Sequence, residues 1–452
     1  MAAQFLESAG GRDASIIAIH YERGGDLLRA IPLHERAGDD AARLGSLPKA
    51  RQAYGHACSL LERLPNNPQR QRSRVELLLK QVQTSLVTNA PEQNLERLSL
   101  VHAALDALGG EAPTFEDQLR LARCFFLRGQ VLHYGGRPTE ALTHYQRALP
   151  LAQKLGADEL FAQTSCVIGV ALAVQGRMRQ GRALIEQALG TVQETGAAPE
   201  WIRARCVYSV TLAATGDVAR ARAESSSALD AVQKLNQPSL FAMARMNHGQ
   251  ALFLAHDWQS AVECTTEAIR ISQSSGDLLY VYGAYGLRAW ANSFLGLHAA
   301  AEADRKERIH TAQPLGKQLI YAEFFAASDA EIALLAGRYE EALQRALIIG
   351  EAAAAADLLT TRGIAERVVA SALARLGGDA AESDRHFALA TSIFAEGGNV
   401  LEIALVRIYH AQALRMRGDT AAADKELAQA LAQLEICGCT YALSHAHRLA
   451  LS

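Results

Sequence analysis

The chain has 452 residues, 49% of them apolar and 21% charged, with 11 prolines and a formal net charge of −3. That composition supplies ample material for a core, and its charge balance gives no reason to expect nucleic acid or an anionic membrane as partner. Seven cysteines do not make a disulfide framework, no window approaches 18 uninterrupted apolar residues, and Met1–Arg12 lacks the regions of a signal peptide, so the expected location is cytoplasmic.

In chain order, residues 1–12 carry no pattern. From Ala14 the sequence predicts a helix, a turn at Gly24-Gly25, and a second helix with Asp26 at its N-cap. A third helix follows over Ser46–Leu64, and Pro65-Asn66-Asn67-Pro68 is a firm break. Two long helices, Arg70–Leu86 and Pro91–Leu108, lead to the loop at residues 109–113. Arg70, Arg72, Arg74 and Lys80 form a basic run, read as a solvated helix face rather than a phosphate site.

From Phe115 the chain repeats. Helix A of the first unit carries Leu119, Phe126, Leu127 and Leu132 around the small Gly129 and stops at Gly135-Gly136. Helix B opens with Pro138, places Ala141, Tyr145, Ala148 and Leu149 on one face, and stops at Gly156. In steps of about 40 residues the inner turn recurs at Gly136, Gly176, Gly216, His256, Gly296, Gly337, Gly378 and Gly418. The outer turn recurs at Gly156, Gly196, Asn236, Gly276 and Gly316. Because Asn is the usual substitute where a helix ends in the left-handed region, backbone geometry fixes that position. His256, at an otherwise glycine position, is read as a tolerated left-handed turn over a pocket rim.

The spacing Gly129 to Leu132, then Ala141, Tyr145, Ala148 and Pro150, resembles the tetratricopeptide pattern. The period is longer than the roughly 34 residues of that repeat and falls among HEAT-like lengths, but the small residues sit where close helix crossing in the tetratricopeptide family requires them. The expected fold is all-α: a right-handed superhelix, or α-solenoid, of helical hairpins. Residues 1–113 would be irregular leading hairpins, 114–438 the regular array of about eight, and 439–452 a capping helix.

The block Ile16–Pro65 resembles the segment that begins the tetratricopeptide tail of bacterial signalling ATPases of the STAND class. That resemblance implies a sensing and docking arm, with nucleotide chemistry in an upstream module. No such module precedes the segment in this sequence, which leaves open a free-standing arm or a piece of a longer chain.

Motifs for chemistry are missing: no phosphate loop, dinucleotide fingerprint, H-E-x-x-H, nucleophile elbow or EF-hand loop is present. No enzyme, cofactor or metal is expected. Cys437 and Cys439 with His445 and His447 supply four potential ligands, but C-x-C lacks the usual spacing and the two histidines diverge on a helix. The carboxylate pairs Glu340/Glu341 and Glu323/Glu331 read as solvated faces.

In a solenoid of this type the A helices line the concave wall, so positions offset by −6, +1 and +4 from the small residue should face the groove. These are Arg123, Gln130, His133, Gln163, Arg203, Met243, Gln250, Phe253, Trp290, Ser293, Phe324 and Glu331, with Tyr282 and Tyr285 on the flank. Trp290 stands evenly between groove and core, while Arg203 favours the groove because a charged side chain is rarely buried. The expected function is a protein-interaction scaffold or sensing arm that holds a peptide or protein partner. The second reading is a small-ligand sensor around Trp290, Gln250, Phe253 and Arg203.

Overall fold

The computed structural model describes residues 13–86, 89–108, 113–195, 198–235, 237–315 and 319–439. Among the described residues there are 21 α-helices and no strand, and no helix is long and apolar enough to cross a membrane. In order these are α1 (Ala14–Arg23), α2 (Leu27–Arg43), α3 (Leu47–Glu62), α4 (Pro68–Gln83), α5 (Pro91–Leu108), α6 (Phe115–Tyr134) and α7 (Pro138–Lys154). Next come α8 (Asp158–Val174), α9 (Met178–Thr195), α10 (Ala198–Ala214), α11 (Val218–Gln233), α12 (Pro238–Leu254), α13 (Trp258–Ser275) and α14 (Leu278–Phe294). The last are α15 (His298–Ala312), α16 (Ala322–Leu335), α17 (Tyr339–Ala355), α18 (Leu359–Arg375), α19 (Ala380–Gly397), α20 (Val400–Met416) and α21 (Thr420–Ile436). Two compact units divide between Thr164 and Ser165, inside α8. The expected loop at 109–113 falls largely on residues 109–112, and the expected capping helix on 440–452, both outside the described residues.

One contact recurs in three of the hairpins. An added Cβ at Gly129 on α6 would lie 2.4 Å from the Tyr145 ring on α7. Sixteen residues also separate Gly38 on α2 from Tyr54 on α3, where the same Cβ would again fall 2.4 Å from the ring. Gly169 meets Ile185 in the same way at 2.6 Å. The helix A glycine therefore admits a large helix B side chain against its backbone, which brings the two axes close. The second half of the first hairpin runs past Pro150 to Lys154, so helix B continues about one turn beyond the proline.

Most of the turn series has the backbone that the sequence demands. Gly25, Gly136, Gly176, Gly216, Gly296, Gly337 and Gly418 have φ between 71° and 89°, and His256 replaces glycine at φ 59°. One position differs from expectation: the left-handed residue after α18 is Gly377, at φ 70°, not Gly378. Outer turns at Gly156, Gly276, Gly398 and Gly438 are left-handed, as is Asp357 at φ 56°; Gly196, Asn236 and Gly316 lie outside the described residues. The hairpin expected over 317–357 starts late, because Tyr321 at φ 67° precedes α16 and shortens it to 14 residues.

In unit 1 the basic run divides: Arg72 and Lys80 are drawn into partly buried ion pairs, while Arg70 and Arg74 stay on the expected solvated face. Arg72 forks onto the buried Asp117 at 2.8–3.1 Å. Lys80 reaches Glu35 at 2.7 Å and Asp39 at 2.9 Å, Arg74 meets Glu62 at 3.3 Å, and Arg70 donates to the Pro65 carbonyl.

Unit 2 closes on itself. Each A helix packs on the next in the series α10, α12, α14, α16, α18 and α20, and α20 packs back on α10. The joint is finished by turns. The Leu359 amide donates to the Gln175 carbonyl at 2.7 Å, and Asn399 Nδ2 donates to the Gly176 carbonyl at 3.1 Å. Arg177 pairs with Asp357 at 2.8 Å and approaches Glu396 at 3.6 Å. Gly176 is required here, since its φ is 87° and a Cβ would meet the Thr360 amide nitrogen at 2.4 Å.

Gly129→Val forces a side chain into the Tyr145 ring and should lower the stability of unit 1 by about 1–3 kcal/mol. Gly296→Ala, in open space at φ 77°, should cost only the left-handed strain of about 1–2 kcal/mol. Thermal denaturation of the two variants beside the parent chain checks the order; equal or reversed losses would remove the close-crossing account.

Candidate functional site: the inner wall of the helical ring

The inner wall of unit 2 is built from A helices, and its middle is charged yet withdrawn from solvent. Arg367 on α18 has no exposed side-chain surface and sits between two carboxylates. Its Nε and Nη2 donate to the two oxygens of Glu331 on α16 at 3.0 Å each, and Nη1 donates to Glu402 on α20. Trp290 on α14 donates its indole N–H to Glu331 Oε2 at 2.9 Å. Four consecutive A helices thus contribute one side chain each to a continuous polar chain. Burial pushes the Glu331 carboxyl up, against the pull of Arg367. Burial also opposes the charge on Arg367, but Glu331 and Glu402 outweigh it and hold the guanidinium protonated. The rings of Phe394 and Tyr409 flank that guanidinium at 5.7 Å.

Next to this chain lies an aromatic tract. Phe253 packs on Trp290 with centroids 4.7 Å apart, Trp258 stacks on Phe294 at 4.4 Å, and Phe324 meets Trp290 edge-on at 5.4 Å. His256 stacks on Trp258 at 5.5 Å, so the left-handed turn residue is an aromatic contact and is itself buried.

The residues expected on the wall separate into two groups. Met243, Phe253, Trp290, Ser293 and Glu331 are buried in unit 2. Arg203 is exposed, and Gln250 and Phe324 are half-buried. In unit 1, Arg123 pairs with Glu76 at 2.7 Å, Gln163 donates to Glu159 at 3.1 Å, and Gln130 is half-buried. His133 is buried there with no partner for Nδ1, and burial pushes its pKa down to about 4. Tyr282 is buried and Tyr285 half-buried, the latter accepting from Gln273 at 3.3 Å. Glu331 corrects the reading of Glu323/Glu331 as a solvated face, because Trp290 and Arg367 satisfy its carboxylate inside the wall. Arg367 and Glu402 were missed. For Glu402 the one sequence signal is an isolated charge among apolar neighbours on an A helix, Val400-Leu401-Glu402-Ile403-Ala404; Arg367 follows Glu366 and carries no such signal.

Neither a family model nor a curated protein sequence matches the chain. Solved structures do. A Rap protein complexed with competence and sporulation factor superposes with a TM-score of 0.60 at 13% identity, covering 81% of this chain and 99% of that one. NprR in complex with its cognate peptide NprX gives 0.52 at 13% identity, over 80% of this chain and 98% of that one. The Rap conjugation gene regulator of plasmid pLS20 in complex with the Phr* peptide gives 0.51 at 14% identity, over 73% and 97%. The fold is a tetratricopeptide-like helical solenoid. The resemblance of Ile16–Pro65 to the STAND class stays a sequence argument, with no family model to carry it.

Within this tetratricopeptide-like wall, Arg367→Ala strands two buried carboxylates and should cost about 3–5 kcal/mol. The triple replacement Arg367→Met/Glu331→Leu/Glu402→Leu should recover much of that loss, read by urea denaturation. A triple variant no more stable than Arg367→Ala would show that the charges themselves are needed.

His133 generates a prediction in pH. Its folded pKa, near 4, lies below the unfolded value of about 6.5. Above about pH 6.5 both states are neutral and nothing is lost; as pH falls towards 4, the unfolded state takes up the proton first and gains. Between pH 7 and pH 5 this single residue should cost unit 1 about 2 kcal/mol. Denaturation at both pH values, with His133→Gln losing that share of the acid sensitivity, is the check.

Proposed function

We propose that the ring formed by α10 to α20 takes up an extended peptide or a segment of a partner protein, and acts as a binding arm in a regulatory system rather than as an enzyme. What carries this reading is the way the ring is joined. Five of its six helix contacts link neighbouring hairpins, whereas the sixth, α20 on α10, joins distant parts of the chain. That seam is the place where the ring can part to admit a ligand without breaking a hairpin. The exposed Arg203 on α10 lies on a seam helix and offers a guanidinium to a carboxylate side chain or a chain terminus, while half-buried Gln250 and Phe324 offer an amide and a ring. The structural neighbours captured with peptides support the same reading by fold, and the STAND resemblance supports a sensing arm. A small-metabolite sensor is less favoured, because the aromatic tract that such a ligand would need is packed against itself.

Gly216 provides a lock for the test. A Cβ there would lie 2.8 Å from Cys437 Sγ, close enough for Gly216→Cys to bridge to the native thiol across the seam. A random-peptide library should yield ligands for the parent chain that lose at least tenfold in affinity with Arg203→Ala, a loss of about 1.4 kcal/mol. Oxidised Gly216→Cys should fail to bind them, and reduction should restore binding. A library that yields no ligand, or ligands indifferent to Arg203→Ala, would sink the reading. Binding unaffected by the oxidised lock would remove the seam from it.

A further inference from the structure

In unit 1, away from the ring, three side chains from three successive helices converge on one point. Glu22 ends α1, His34 lies on α2 and His56 on α3. Nε2 of His34 stands 3.2 Å from Glu22 Oε2, Nε2 of His56 stands 2.8 Å from the same oxygen, and one donor atom from each of the three residues lies within 4.8 Å of the others. We propose that Glu22, His34 and His56 bind a divalent transition-metal ion of the zinc type, with a fourth position open to water or to a ligand of the protein's partner.

Ligands of a four-coordinate zinc ion at about 2.0–2.2 Å lie roughly 3.3 Å from one another along the edges of a tetrahedron. The two nitrogen-to-oxygen separations, 3.2 and 2.8 Å, are close to that edge. Two imidazoles with one carboxylate are also the donor set of zinc sites that keep a position open. Exposure has the matching asymmetry. His34 is 92% withdrawn as a side chain, which fixes one ligand in the helix packing, while His56 at 42% and Glu22 at 25% exposure leave solvent a way in. The imidazoles are further fixed by each other, meeting edge to face with centroids 4.6 Å apart. A hydrogen-bonded bridge alone would place two ring nitrogens as donors on the same carboxylate oxygen; a metal ion replaces both protons and uses all three donors at once.

The metal would join α1, α2 and α3, whose shared core includes Ile17 and Tyr21 of α1, Ala30 and Ile31 of α2, and Tyr54 and Ala57 of α3. Binding therefore adds to the folding free energy of these three helices.

The test is equilibrium dialysis and calorimetry of the full chain with zinc chloride alone at pH 7.5. A Cys58→Ser/Cys437→Ser/Cys439→Ser background removes the two partly exposed thiols and the C-x-C pair. The expected result is one zinc per chain. His56→Ala should weaken it by more than the roughly 10–100-fold that removal of an outer-shell partner costs. Because His56 is partly exposed, that variant should keep the far-ultraviolet circular dichroism of the parent; Glu22→Gln serves as the second variant. Cobalt(II) should give the visible absorption of a tetrahedral site in the parent and lose it in both variants. No stoichiometric zinc, or zinc held equally by the parent, His56→Ala and Glu22→Gln, would overturn the assignment.

Discussion

The close crossing of helix A over helix B is the constraint from which the rest follows. A glycine that would bury a Cβ inside the Tyr145 ring leaves no room for error in register, since moving either helix by one residue puts a side chain where only backbone fits. With the hairpin fixed this tightly, the inner turn has few conformations left, and it uses a left-handed residue. His256 shows that geometry and not glycine itself is conserved along the array: it accepts φ 59°, while its ring stacks on Trp258. Asp357 does the same at an outer turn, and its carboxylate is then free to meet Arg177 at the seam.

Stacking such hairpins until α20 meets α10 encloses side chains that a linear array would leave to water. That is why Glu331, at a position expected to face a groove, is fully buried. Burying one carboxylate unpaired would be prohibitive, so it is met by a guanidinium and an indole N–H; the guanidinium's Nη1 then needs an acceptor, and Glu402 supplies it. The network gains little net stability over an apolar core of similar volume, but it accepts only one arrangement of α14, α16, α18 and α20.

The hairpins, their period and nearly all turn positions among the described residues were legible in the sequence because each depends on residues within about one repeat. Gly38 with Tyr54 followed the same spacing of sixteen as Gly129 with Tyr145, and could have marked α2 and α3 as a hairpin of the same kind. Other features were out of reach for a physical reason. The seam joins Gln175–Arg177 to Asp357–Leu359 and Asn399, which no periodicity relates. Whether Trp290 packs or lines a groove depends on how far the wall curves, and no local pattern encodes that. Gly377 and Gly378 are adjacent glycines, and only the capping hydrogen bonds decide which turns left-handed.

An open solenoid has nearest-neighbour stability and frays from its ends. The seam changes that, because α10 and α20 each gain a partner that is remote in sequence, and neither end of the arc can loosen without giving it up. The joint is nevertheless thin in polar terms. Arg177 and Asp357 are 25% and 56% exposed, so their pair contributes at most about 1 kcal/mol. The two hydrogen bonds to Gln175 and Gly176 add about 0.5–1.5 kcal/mol each. The packing of α20 on α10 supplies the remainder, and because the two helices are remote in sequence it depends on the curvature of the whole arc rather than on any one hairpin.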